Sequence, residues 1–75
     1  MADFITKDQL AELEEAQSWD LNNYHKMLDE YAGITARPYT GYSYYDAAGN
    51  YIGNRDDSDV RDLLRAAYIE VRDDG

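Results

Sequence analysis

The sequence predicts a small α+β domain spanning residues 1–75: two N-terminal helices, or one bent helix, then a tyrosine-rich antiparallel β-hairpin and a C-terminal helix. Three observations carry this reading. Apolar residues recur every three or four positions across residues 7–32, and again from Val60 onward. Between these stretches, Tyr39 to Ile52 holds aromatic residues on both sides of a turn sequence. Helices packed on one face of a two-stranded sheet, or a three-stranded one, satisfy all three patterns.

The first helix opens at Thr6-Lys7-Asp8-Gln9, which matches a capping box, and Ile5 and Leu10 occupy the positions of a hydrophobic staple. Leu10, Leu13, Gln17, Leu21, Tyr24, Leu28 and Tyr31 form one helical stripe, with Glu12, Glu14, Glu15, Asp29 and Glu30 mostly off it. Ser18-Trp19-Asp20-Leu21-Asn22-Asn23 is rich in side chains that compete for backbone hydrogen bonds. A break or bend is expected there, with Ser18 or Asp20 capping the second half. Gly33 suits the left-handed position after a helix, and Ile34 the apolar contact that accompanies it.

Thr35-Ala36-Arg37-Pro38 reads as connecting chain, with Pro38 at the start of a strand. Five of the chain's 8 tyrosines fall in the hairpin, so its faces decide which rings are exposed. Asp46-Ala47-Ala48-Gly49 reads as its tight reversal, and Gly53-Asn54 as its end. Alternation points Tyr39 and Tyr45 one way and Tyr42 and Tyr44 the other. One face must enter the core; the other should be at least partly exposed. Val60, Leu63, Leu64, Ala67, Tyr68 and Val71 then recur at helical spacing, with Asp57 or Ser58 as the expected cap. Tyr68-Ile69-Glu70-Val71 is also short and apolar enough for a strand.

Charge narrows the function. The chain carries 16 acidic and 7 basic residues, a formal net charge of -9 and a pI near 4.2. That excess repels phosphate backbones and anionic lipid, so neither nucleic acid nor a membrane is an expected partner. A basic protein surface is. With 44% apolar and 13% aromatic residues the chain is too hydrophobic for a disordered acidic tail. It has no cysteine, which excludes disulfides and cysteine-based zinc sites. No apolar run approaches the roughly 20 residues that span a bilayer. Met1-Ala2-Asp3-Phe4 lacks the basic-then-apolar pattern of a signal peptide, so a cytoplasmic location is expected.

Chemistry finds few candidates. His25 is the one histidine, beside Lys26, and reads as a surface residue on a polar helix face. Asp46-Ala47-Ala48-Gly49-Asn50 and Asp56-Asp57-Ser58-Asp59 both fail the spacing of a calcium-binding loop. No enzyme activity, metal or cofactor is expected. What remains is carboxylates together with tyrosines. On a helix, carboxylates three or four residues apart lie about 5–6 Å from each other. A row of them imitates part of the phosphate array that a basic groove is built to hold. Tyrosine adds stiff amphipathic contact area and engages arginine planes. The phosphate stand-ins are expected to be Glu12, Glu15, Asp29, Glu30, Asp46, Asp56, Asp57 and Asp59, with Tyr42, Tyr44 and Tyr51 as aromatic contacts.

In size, charge and tyrosine content the chain resembles small phage-encoded inhibitors of bacterial defence, the anti-restriction and anti-CRISPR proteins. Many of these are acidic nucleic-acid mimics. The resemblance implies a phage or mobile-element protein acting in the bacterial cytoplasm, where it blocks the DNA- or RNA-binding groove of a nuclease or CRISPR effector. The alternative is a structural or assembly module in which two copies bury the spare tyrosine face of the hairpin as a homodimer.

Overall fold

The computed structural model describes residues 4–38 and 41–73, an α+β arrangement of three helices and two small sheets. In chain order these are β1 (Phe4–Thr6), α1 (Lys7–Trp19), α2 (Leu21–Ala32), β2 (Thr35–Arg37), β3 (Ser43–Tyr45), β4 (Tyr51–Asn54), α3 (Val60–Ala66) and β5 (Glu70–Arg72).

The helix boundaries follow local chemistry. The Thr6 hydroxyl accepts from the Gln9 N–H at 3.1 Å, and the Gln9 carboxamide accepts from the Thr6 N–H at 2.9 Å, completing the capping box. Asp20 breaks the long stripe and caps α2 by accepting from the Asn23 N–H. There are therefore two helices, not one bent helix. Gly33 ends α2 at φ 69°, and Ile34 behind it is fully buried.

The third helix departs from expectation at both ends. Its cap is Asp59, not Asp57 or Ser58, because Asp62 lies three residues on and closes a reciprocal box with it. It stops at Ala66, and Tyr68 takes the left-handed position after it at φ 61°. The Tyr68 N–H donates to the Arg65 carbonyl and the Ile69 N–H to the Leu64 carbonyl. This is the hydrogen-bond pattern of a Schellman motif with a tyrosine where glycine is usual. Residues 70–72 then form β5, so the strand alternative for this region prevails over the helical one. β5 pairs in parallel with β1, Phe4 opposite Glu70 and Thr6 opposite Arg72. β1 is not expected from the sequence, since three residues ending on the cap itself carry no period of their own.

The second sheet has the order β2-β3-β4, all antiparallel. Thr35–Arg37 is thus a strand, not connecting chain, with Ala36 opposite Tyr44. Pro38 comes after this strand and does not begin the next, which starts at Ser43. Tyr39, assigned to the hairpin by its sequence, lies outside the described residues. The turn forms as predicted. The Asp46 N–H donates to the Asn50 carbonyl, Gly49 takes φ 88°, and the Asp46 carboxylate accepts from the N–H groups of Ala48 and Asn50. Tyr45 lies opposite Tyr51 but Tyr44 opposite Gly53, so Ile52 is the extra residue of a bulge.

The core gathers Ile5, Leu10 and Leu13 with Tyr24, Leu28, Ile34, Tyr44, Val60, Leu63 and Leu64. It is continuous between the helices and the inner face of the three-stranded sheet.

Candidate functional site

The hairpin divides its tyrosines as alternation requires, but the face assigned to a partner is the one that enters the core. Tyr44 is 1% exposed and packs edge-on against Tyr24, ring centroids 6.4 Å apart. Tyr42 is half-buried, 4.4 Å from the His25 ring. Tyr44 is therefore a core residue and not a partner contact, and Tyr42 is largely committed to packing. The period of two shows which rings share a face; it does not show which face meets the helices.

His25 is likewise not a bare surface residue. Its Nε2 lies 2.8 Å from the Tyr44 hydroxyl, and its ring is set among Tyr24, Tyr42 and Tyr44. Burial, with a smaller effect from the Arg55 guanidinium, lowers its pKa from 6.5. Burial pushes the Tyr44 phenol up to about 12 and raises that of Tyr24 as well. The Tyr24 hydroxyl is buried without a hydrogen-bond partner among the described residues. These groups stay neutral at neutral pH and hold α2 to the sheet.

The outer face carries different rings. Arg37 lies over the Tyr45 ring at 5.6 Å, and Tyr45 meets Tyr51 at 5.9 Å, giving a row across all three strands. Tyr51 is 57% exposed. The Asn54 carboxamide donates to the Tyr51 hydroxyl at 3.3 Å and to the Asp57 carboxylate at 3.1 Å, tying this ring to the acidic run that follows. Asp56, Asp57, Asp59 and Asp62 line one shallow depression with Arg55 and Gln17. Asp62 lines the depression and Tyr45 stands in the row of rings without either having been expected there. Asp62 shows itself in sequence only as the partner three residues after Asp59. Among the described residues, burying the inner tyrosines leaves a hairpin-mediated dimer Tyr45 and Tyr51 as its aromatic surface.

The remaining carboxylates are distributed elsewhere. Glu12 and Glu15 line a second depression on α1 with Trp19, Asn23 and Met27. The Glu12 carboxylate also accepts from the Tyr31 hydroxyl. Asp29 and Glu30 are exposed on α2. Asp46 sits at the hairpin turn, its carboxyl held below the usual range chiefly by the Asn50 N–H. Only three ion pairs occur among the described residues: Lys7 with Asp73, Arg61 with Glu14, and Arg72 with Glu70. None uses a predicted phosphate stand-in. Among the described residues no group of three or more histidine or acidic side chains is gathered closely enough to hold a metal ion. No helix there is long and apolar enough to cross a membrane.

No family model, curated protein or solved structure matches this chain.

Proposed function

We propose that this protein is a non-catalytic inhibitor that occupies the basic nucleic-acid-binding groove of a partner protein, as a nucleic-acid mimic of the anti-restriction or anti-CRISPR kind. The observation that carries the reading is the patch formed by Asp56, Asp57, Asp59 and Asp62, joined through Asn54 to the exposed ring of Tyr51. The carboxylates supply closely spaced negative charge, and the ring supplies a plane for an arginine to stack on. The patch is already ordered before binding. Asp59 and Asp62 are locked by their capping box and Asp57 by Asn54, so little side-chain freedom is lost on docking. Tyr45 extends the aromatic surface; Glu12, Glu15, Asp29, Glu30 and Asp46 add to the surrounding field that steers encounter.

The test is capture from a bacterial lysate on the immobilised chain, with a duplex oligonucleotide as competitor. The expected result is retention of a nucleic-acid-binding protein that the duplex displaces. Retention indifferent to the duplex, or binding of the duplex by the chain itself, would contradict the proposal.

A further inference from the structure

Three of the chain's 7 basic residues converge on one place. Lys7, Arg61 and Arg65 rim an open groove whose floor is Leu10, Leu64, Ile69 and Val71; Glu14 is its one acidic lining residue. In a molecule of net charge -9 such a concentration of cations around an apolar floor stands against the prevailing field. Two of the cations are partly engaged, Lys7 with Asp73 and Arg61 with Glu14, while Arg65 has no ion pair among the described residues. Tyr68, next in sequence to Ile69 of the groove, is 91% exposed.

The same molecule carries the groove's complement. Trp19 is 72% exposed, the most exposed large apolar residue after Tyr68 among the described residues. It shares a shallow depression with the carboxylates of Glu12 and Glu15. Leu10 and Glu14 of α1 face the groove, whereas Glu12, Glu15 and Trp19 face the other depression, so the two lie on different flanks of one helix. An indole flanked by two carboxylates matches an apolar floor flanked by cations, and tryptophan and arginine are the residues that most often carry interface energy.

We infer that the groove docks a second copy of this chain, whose Trp19 seats on Leu10, Leu64 and Ile69 while its Glu12 and Glu15 meet Lys7, Arg61 and Arg65. Because the two surfaces differ, the contact is heterologous and repeats head to tail, giving short open chains or a ring instead of a two-fold dimer. This contact leaves the Asp56–Asp62 patch free; it shares with the proposed inhibitory function only Glu12 and Glu15, which serve there in steering alone.

Sedimentation equilibrium across protein concentration tests it, with the emission of Trp19, the chain's single tryptophan, as a second readout. The mean mass should rise with concentration while Trp19 emission shifts to the blue. Trp19→Ala removes the plug and Arg65→Glu blocks the groove. Both side chains are exposed, and circular dichroism verifies that each variant keeps its helices. Each substitution should weaken self-association about tenfold or more, as for a central anchor. An equimolar mixture of the two variants retains one intact groove and one intact plug, and should form a heterodimer that grows no further. A wild-type chain that stays monomeric at millimolar concentration would overturn the inference, even if its groove accepts an unrelated acidic peptide. So would a Trp19→Ala chain that assembles like wild type, or a mixture that stays monomeric.

Discussion

Tyr44 and Tyr45 are neighbours in sequence and strand, yet they belong to different parts of the molecule. Tyr44 is enclosed by Tyr24, His25 and the core aliphatics; Tyr45 lies outward between Arg37 and Tyr51. The inner face is neutral, and its ionisable rings are held uncharged by burial. The outer face meets water and runs through Asn54 into a cluster of carboxylates. Tyrosine content alone therefore says little about binding. The strand's period sorts the rings, and the helices decide which set remains for a partner.

The largest expected contrast is in stability. Tyr44→Ala should cost about 3–5 kcal/mol, the range for emptying a buried aromatic site, whereas Tyr51→Ala should stay within about 0.5 kcal/mol of wild type. Urea denaturation measures both. Equal losses would dissolve the distinction between the two faces.

Gly53, beside the bulge at Ile52, comes next. Gly53 has φ 150°, and a Cβ there would collide with the Ser58 hydroxyl and press on Leu63. Gly53→Ala should therefore destabilise by about 1–3 kcal/mol, combining backbone strain with overpacking. An unchanged urea midpoint would mean that β4 does not press on Ser58 and Leu63 closely enough to require glycine.

Much of this architecture is legible in the sequence, and the gaps have physical reasons. The capping box at Thr6, the break at Asp20, the left-handed Gly33 and the Asp46–Gly49 turn are local signals, each carried by a few adjacent residues whose side chains satisfy nearby backbone groups. β1 and β2 are three residues each, too short to show a period, and they exist because a distant segment pairs with them; β5 was readable only as an alternative to helix, for the same reason. The cap of α3 was misplaced because Asp56, Asp57, Ser58 and Asp59 are all competent; Asp62 decides among them. For the site, the acidic run was legible and the choice of tyrosines was not. Tyr42 and Tyr44 share a face, but only the packing of α2 turns that face inward.

Within the inner face two hydroxyls behave oppositely. Tyr44→Phe removes the 2.8 Å hydrogen bond with His25 and should cost about 1 kcal/mol. Tyr24→Phe deletes a buried hydroxyl that has no partner, and should be neutral or stabilising by up to about 1 kcal/mol. Thermal melts of the two variants should move in opposite directions or, at the least, differ in size.

The smallest expected effect is on pH dependence. His25 has a folded pKa below 6.5, so as pH falls the unfolded chain takes up its proton first, and that uptake favours unfolding. The His25 contribution is fully present above the unfolded pKa and is lost as pH drops through the folded one. Between about pH 7 and pH 5, wild type should lose stability relative to His25→Gln, which keeps a hydrogen-bonding group but does not titrate. Parallel curves for the two proteins would show that burial of this imidazole has no energetic consequence.

The central claim is that the outer acidic patch is the part of the molecule that a basic groove grips. The most direct measurement is the affinity for the captured partner as a function of salt, for wild type and for a chain carrying D56N, D57N, D59N and D62N. Asparagine preserves the caps and the Asn54 contact while removing four charges. We predict that wild-type binding falls steeply with salt, and that the substituted chain binds on the order of tenfold or more weakly with a flatter salt dependence. Affinity that is insensitive to salt and equal in the two proteins would contradict the account.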